Sequence, residues 1–187
     1  MIKKLFIGML AVLLMTSIAE AREVSGKNIP ESMNAGDNSL LLNGAGTRTK
    51  MWMSIYAAGL YLPKEMHNAK EIINADIPMA IKMHVISGLM SADKLEGALR
   101  EGFEQSTNGN LSLLKDRIDK FILAQKAELN KDDILEYVYI PGKGVSVFSK
   151  GKLATTLEGL DFKKALFGIW LSDNPCEEDL KEELLGK

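Results

Sequence analysis

The chain has 187 residues, of which 23 are Lys or Arg and 25 are Asp or Glu, so its net charge is −2. This balance argues against nucleic acid as the main partner, because no excess of positive charge is available to meet phosphates. Cys176 is the only cysteine, which excludes an internal disulfide. The length fits one domain with its own apolar core.

The N-terminal segment has the pattern of a secretory signal peptide. Two lysines precede an uncharged apolar run over residues 5–15, and Ala19-Glu20-Ala21 matches a small-x-small cleavage motif. We therefore predict a signal peptide over residues 1–21 and a periplasmic domain over residues 22–187, whose net charge is −3. The alternative is a short membrane anchor, but the run is too short to span a bilayer. No stable membrane insertion is expected after cleavage.

The polar stretch over residues 22–37 is predicted to start with a short edge strand around Val24 and then to form a loop. Residues 39–43 are a short strand candidate, and Gly44-Ala45-Gly46 is predicted to form a turn. The run of β-branched, aromatic and aliphatic residues over positions 47–56 predicts a strand, and Gly59 beyond it suggests a bulge or a close approach by another element.

Arg48 and Tyr56 are the candidate ligand-binding residues. If the strand is unbroken, their even separation puts both side chains on one face of the sheet. That face is an apolar wall with a fixed positive charge and a phenol, which suits a ligand with an apolar body and one anionic end. The alternative from spacing alone is an ordinary solvated strand start at Arg48 and a half-buried aromatic ring at Tyr56.

The rest of the chain predicts helices that cover a sheet. Apolar residues alternate with period two in the strands and recur at helical spacing in the helices, two of which form a helical hairpin. This order of elements predicts one α+β domain, a mainly antiparallel sheet with helices packed on one face. The predicted helices are residues 64–75, 91–107, 111–129, 162–171 and 177–185, and the predicted strands are residues 77–86, 134–140, 145–148 and 152–157.

No metal or cofactor site is predicted. His67, His84 and Cys176 are far apart and form no metal-ligand motif. Gly44-Ala45-Gly46 lacks the third glycine and the following helix of a dinucleotide fingerprint. The acids Glu177-Glu178-Asp179 fit a helix start, where the helix dipole favours negative charge.

The chain is rich in methionine, with ten residues of this type. Met51, Met53, Met79 and Met83 either line an adaptable apolar pocket, since thioethers fit irregular shapes, or belong to the plain core.

Several segments together resemble the chalcone isomerase family, in its bacterial exported branch. The likeness extends over residues 29–186 and implies an open-faced β-sandwich, a curved sheet backed by a helical layer. The residues that carry it are Leu42-Asn43-Gly44-Ala45-Gly46-Thr47-Arg48-Thr49-Lys50, Ile55-Tyr56-Ala57-Ala58-Gly59-Leu60-Tyr61-Leu62, Tyr139-Ile140-Pro141-Gly142-Lys143-Gly144, Phe162-Lys163-Lys164-Ala165-Leu166, Ile169-Trp170-Leu171 and Asp179-Leu180-Lys181.

The resemblance implies one of two functions. Plant enzymes of the family close a chalcone into a flavanone, whereas related plant proteins bind fatty acids without such activity. In both, an arginine that resembles Arg48 faces the ligand, and in the fatty-acid binders a tyrosine that resembles Tyr56 shares the carboxylate. The enzymes carry a threonine at the position of Tyr56 and a hydroxyl residue where this chain has Ile169. They also use a tyrosine and an asparagine that the helix over residues 91–107 lacks.

The first hypothesis is therefore a binding protein for a small apolar acid such as a fatty acid, or for a polyketide-like ligand. Arg48 pairs with the carboxylate, and Tyr56 donates a hydrogen bond. The second hypothesis is an isomerase (intramolecular lyase) of the chalcone type, in which Arg48 stabilises the oxyanion. A third is a structural envelope partner, which predicts an exposed apolar patch.

Overall fold

A computed structural model describes residues 21–126 and 129–187. Of the predicted signal peptide, residues 1–20 lie outside the described residues. The strands are β1 (Ala21–Val24), β2 (Lys27–Pro30), β3 (Ser32–Ala35), β4 (Asn38–Lys50), β5 (Met53–Leu62), β6 (Met79–Val85), β7 (Ile134–Ile140), β8 (Gly144–Ser149) and β9 (Lys152–Leu157). The helices are α1 (Ala69–Asn74), α2 (Ala92–Ser106), α3 (Lys115–Leu123), α4 (Leu160–Leu171) and α5 (Glu178–Leu184).

Strands β3 to β9 form one antiparallel sheet in which each strand pairs with the next strand of the chain. Antiparallel neighbours alternate in direction, so the β4–β5 turn and the loop after β6 lie at the same end of the sheet. Two irregularities interrupt the β4–β5 register, one between Leu42 and Gly44 and one between Arg48 and Thr49.

The helices cover one face of this sheet and enclose the main core. Side chains of β5 to β9 meet α2, α3 and α4 there, around a cluster of aromatic rings. Phe103, Phe121 and Phe162 contact one another with ring centroids 5.6 to 5.8 Å apart, and Tyr137 links Phe121 to Trp170. The sheet and its helical layer confirm the predicted α+β, open-faced sandwich.

The opposite face carries a smaller core under the β1–β2 hairpin. Ile29 from the hairpin packs with Leu40, Ala57 and Tyr61 of the sheet. The Tyr61 hydroxyl donates to the Pro30 carbonyl at 2.9 Å, which fixes the hairpin to β5.

Helix α5 packs unusually close to β4, and this closeness explains the glycines there. A Cβ on Gly44 would collide with the main chain of Glu183 and Leu184. The turn predicted at Gly44-Ala45-Gly46 was wrong, because these residues lie inside β4. The two glycines do not reverse the chain; without side chains, they allow α5 to approach the strand closely.

The predicted strand over residues 47–56 was wrong as well. A two-residue turn at Met51 and Trp52 divides it into β4 and β5. The pattern missed this turn because neither residue is a usual turn former. Both have a positive φ, 48° and 59°.

The other boundaries agree in part with the predictions. Strands β7 and β9 have the predicted bounds, and Ser91 caps α2 by accepting from the Lys94 amide. The predicted helices over residues 64–75 and 111–129 are shorter, since α1 and α3 begin four or five residues later. In the described part of the chain, no helix is long and apolar enough to cross a membrane.

Candidate functional site

Arg48 lies near the end of β4, with its side chain 23% exposed. Its Nη1 atom donates to the Glu177 Oε2 atom at 3.0 Å and to the Thr49 carbonyl at 3.0 Å. The guanidinium is therefore held on the helical side of the sheet by an ion pair across 129 positions of the chain.

Glu177 supplies the carboxylate of this pair. It directly precedes α5, but its side chain makes no capping bond to that helix. Its Oε2 atom instead accepts a second hydrogen bond, from the Thr49 amide at 2.9 Å. The β4–β5 register shifts between Arg48 and Thr49, and the Thr49 N–H points at the carboxylate there. One cation and one amide thus converge on one carboxylate oxygen.

Tyr56 lies on β5 directly opposite Arg48 in the β4–β5 ladder. Directly opposed residues of an antiparallel pair point to the same face. The two candidates therefore share a face, as cross-strand partners and not as positions i and i+8 of one strand.

The Tyr56 hydroxyl is buried among polar neighbours. It accepts a hydrogen bond from Trp170 Nε1 at 3.0 Å and lies near the Cys176 thiol. Burial raises the pKa of Tyr56 well above its ordinary value and also raises the pKa of Cys176, although the Arg48 charge opposes the latter. Both groups are neutral at neutral pH, so Tyr56 can donate a hydrogen bond.

Arg48 is a permanent cation in this setting. Burial, the largest influence, lowers its pKa, but the hydrogen bond to Glu177 and the nearby Cys176, Tyr56 and Glu177 groups raise it, and the net change is upward. An arginine this deep needs an anionic partner, because an unpaired buried charge is costly.

The structure differs from the expected free cation beside an apolar hollow. Glu177 already neutralises Arg48. Two surface depressions around Asn174 are lined by residues of α1 and α2, by the segment after α4 and by the first residue of α5, and neither includes Arg48 or Tyr56. Ligand binding by these two residues therefore stays a prediction.

Sequence analysis missed Glu177 and Trp170 as parts of this site. Glu177 was assigned only to a helix start, where it does lie, and no local pattern links it to Arg48. The four methionines divide into two pairs: Met79 and Met83 are buried core residues, whereas Met51 and Met53 are exposed at the β4–β5 turn.

The two histidines do not belong to this site: His84 pairs with Ala57 on β5, so its side chain lies on the face of the sheet opposite to that of Tyr56. His67 Nδ1 lies 2.6 Å from the Leu185 carbonyl oxygen, and burial lowers the pKa of His84 on β6. Within residues 21–126 and 129–187, no group of three or more His, Cys, Asp and Glu side chains is placed to hold a metal ion.

Comparison with known proteins now bears on the fold and the site. Residues 21–186 match the family described as chalcone isomerase-like. The chain belongs to this family. Among solved structures, a fatty-acid binding protein of Arabidopsis thaliana is similar with a TM-score of 0.67 and 15% identity, over 86% of this chain and 92% of that chain. At this identity the likeness shows the chalcone isomerase-like fold. No curated protein sequence matches the chain.

The resemblance implies that this chain lacks polar residues that the chalcone isomerase enzymes use, and the structure shows what lies at those positions. Helix α2 contains neither tyrosine nor asparagine. Ile169 is buried and faces Gly102 so closely that a Cβ there would lie 2.8 Å from Ile169 Cγ2. Of the polar residues that the resemblance assigns to the ligand, Arg48 and Tyr56 remain. No specific observation favours the isomerase.

Proposed function

We propose that this protein binds a small apolar carboxylate, such as a fatty acid, with Arg48 and Tyr56 as the residues that hold the acid group. One observation carries this proposal: Arg48 and the Thr49 amide already converge on a carboxylate, that of Glu177. The same donors suit the carboxylate of a ligand, because a cation and an oriented N–H both favour an anionic oxygen.

Tyr56 supplies the third donor. Its hydroxyl is neutral at neutral pH, and Tyr56 lies opposite Arg48 in the β4–β5 ladder. Trp170 Nε1 already donates to the oxygen of that hydroxyl. The proton of the Tyr56 hydroxyl is therefore free to turn away from Cys176 towards a ligand. A ligand acid that replaces Glu177 thus meets an arginine, an amide and a phenol.

The apolar body of the ligand enters the main core beside Tyr56. Tyr56 belongs to the same cluster as Met83, Val85, Met90 and Leu180, which have no charged groups. Helix α5 has seven residues and is held to β4 by Glu177, by the Thr47–Glu183 bond and by the Asn43–Leu184 bond. Opening therefore requires the release of a short helix, and the sheet stays intact.

The structural likeness to a fatty-acid binding protein supports this proposal, as does family membership. We also propose that the protein acts after export to the periplasm. The basic start, the apolar run over residues 5–15 and the Ala19-Glu20-Ala21 motif support this location. N-terminal sequencing of protein from a periplasmic fraction should begin at Arg22, and an intact N-terminus in the cytoplasm would contradict export.

The binding test compares fatty acids of increasing chain length with their methyl esters by calorimetry. We expect the acids to bind and the esters to bind weakly, since an ester has no charge for Arg48. Arg48→Ala should lower the affinity roughly 2- to 30-fold. The lost hydrogen bond to a charged group contributes about 1.5–3 kcal/mol, and the loss of the competing Arg48–Glu177 pair offsets about 1 kcal/mol of this.

Arg100→Ala is the matched control. Arg100 forms ion pairs with Glu96 and Asp119 on the helical surface, away from β4, so its loss should leave binding unchanged. The proposal is wrong if wild-type protein binds no acid, or if Arg48→Ala binds acids as tightly as wild type while remaining folded.

A further inference from the structure

The turn between β4 and β5 presents an apolar tip at one end of the sheet. Trp52 is 87% exposed, and Met51 and Met53 beside it are 66% and 37% exposed. The loop after β6 lies at the same end, since the amides of Ile86 and Ser87 both donate to the Ile55 carbonyl. This loop adds Leu89, which is 55% exposed. We call Met51, Trp52, Met53 and Leu89 the apolar tip.

The tip is maintained against local conformational preference. Lys50 pairs with Met53, so Met51 and Trp52 alone form the turn, and both have left-handed backbone conformations. Such a turn favours Asn and Gly, because a Cβ is crowded at positive φ. Met and Trp here gain no burial in return. Backbone strain together with exposed aromatic surface points to a role outside the fold.

Two lysines flank the tip. Lys50 is exposed and adjoins Met51, and Lys94 Nζ donates to the Leu89 carbonyl at 3.0 Å. Residues 47–64 and 77–92, which contain the tip, include no Asp or Glu, and Asp93 is the first acid after the loop. The acids Asp132 and Asp133, which lie beside Val85 at the same end of the sheet, are paired with Lys27 and Lys150. Apolar side chains bordered by lysines complement a surface with anionic groups above an apolar layer.

The size of the tip favours lipid over protein. Scaled by their exposures, the four side chains present about 400 Å² of apolar surface. This is half of the roughly 800 Å² that each partner contributes to a stable protein interface. A bilayer needs no matched surface, and Trp prefers its headgroup region, where a projecting loop inserts its apolar side chains.

We propose that the apolar tip docks this protein on the surface of a lipid bilayer that contains anionic headgroups. Trp52, Met51 and Leu89 enter the boundary between headgroups and acyl chains, while Lys50 and Lys94 contact lipid phosphates. The docking is peripheral and reversible, because the apolar area is small. It depends on the tip and not on the Arg48 site.

The experiment measures flotation with vesicles of phosphatidylcholine containing phosphatidylglycerol, and with phosphatidylcholine alone. The full chain is expressed, and the N-terminus of each purified protein is established by mass spectrometry, so that all variants are compared with the same N-terminus. Trp52 fluorescence should shift to the blue on the anionic vesicles, whereas the other tryptophan, Trp170, is already buried.

The double variant Met51→Asn/Trp52→Gly is the decisive one. Asn-Gly suits this turn, so the variant should be at least as stable to heat as wild type. It should nevertheless lose at least about tenfold in vesicle binding, since the aromatic anchor is gone. Lys50→Glu should weaken binding to anionic vesicles about tenfold and leave the weak binding to neutral vesicles unchanged.

Leu113→Ser is the matched control, because Leu113 is also 87% exposed but lies before α3, outside the tip. It should float like wild type. The proposal is overturned if wild type does not float, or if the Asn-Gly variant floats equally well. Concentration-dependent self-association that requires Trp52, without flotation, would likewise overturn it in favour of a protein interface.

Discussion

Removal of the Glu177 carboxylate separates a ligand site from a structural ion pair. Glu177→Ala deletes the hydrogen bonds from Arg48 Nη1 and the Thr49 amide, at 3.0 and 2.9 Å. Both side chains of the pair are about one-fifth exposed, so water can reach the freed guanidinium. We expect the free energy of unfolding to fall by about 1–3 kcal/mol, which lowers Tm by about 2–12 °C for a domain of this size.

The same substitution should raise the affinity for fatty acids. In wild type, a ligand carboxylate must first displace Glu177, so the free energy of the internal pair is subtracted from binding. If that pair contributes about 1–2 kcal/mol, Glu177→Ala should bind an acid about 5- to 30-fold more tightly. Lower stability combined with tighter binding is the signature of an internal carboxylate that competes with the ligand.

Thermal unfolding and calorimetry with a fatty acid test both effects. Glu178→Ala is the matched control, since Glu178 is exposed and pairs only with Lys181 within α5. It should change Tm and affinity little. The reasoning is refuted if Glu177→Ala loses stability but binds acids no better than Glu178→Ala, because Glu177 would then be part of the fold alone.

Two further predictions concern the framework around the site. Lys163 is buried and donates to three carbonyls at the end of α1. In urea unfolding, Lys163→Met should therefore lower the free energy of unfolding by about 2–4 kcal/mol. The control Lys164→Met, at the partly exposed neighbouring residue, should lower it little. Burial lowers the pKa of Lys163 from 10.5 to about 8. Between these pH values the unfolded chain binds the proton and the folded chain does not. The stability of wild type relative to Lys163→Met should therefore rise with pH across that window. Gly44→Ala forces α5 away from β4 and should cost about 1–3 kcal/mol, whereas Gly97→Ala in α2 meets open space and should gain about 0.5–1 kcal/mol. Equal effects of the two substitutions in either pair would contradict these assignments.

The local sequence pattern predicted an element correctly where its apolar positions are also the buried ones. Strand β7 is an apolar run, four of whose seven residues are buried, ended by Pro141, and β9 follows a Lys-Gly turn, so both had correct bounds. Gly44-Ala45-Gly46 was misread because glycine has two uses. It reverses a chain at positive φ, and it also admits a close neighbour, which here is a helix from the far end of the chain.

The candidate site needed information that is not local. Composition and resemblance indicated Arg48 and Tyr56, yet their actual relation across a hairpin depended on a turn formed by Met51 and Trp52. Glu177 lies 129 positions from Arg48, and its neighbours in the sequence explain it fully as a helix start. Only the packing of α5 on β4 brings the carboxylate to the guanidinium.

The β4–β5 hairpin joins the two proposals in one element. Arg48 and Tyr56 form a cross-strand pair that is adjacent to the Thr49–Ser54 pair in the ladder. The next pair, Lys50–Met53, closes the turn that contains Trp52. Arg48 lies two positions before Lys50 of the last pair, a length of about 7 Å along the strand. Interfacial amphipathic helices bury their apolar face about 5–10 Å into the boundary between headgroups and acyl chains, and a similar depth for the tip would bring the guanidinium near the headgroups. The carboxylate of a membrane-borne acid lies at that depth, which would let the acid meet Arg48 without first crossing water.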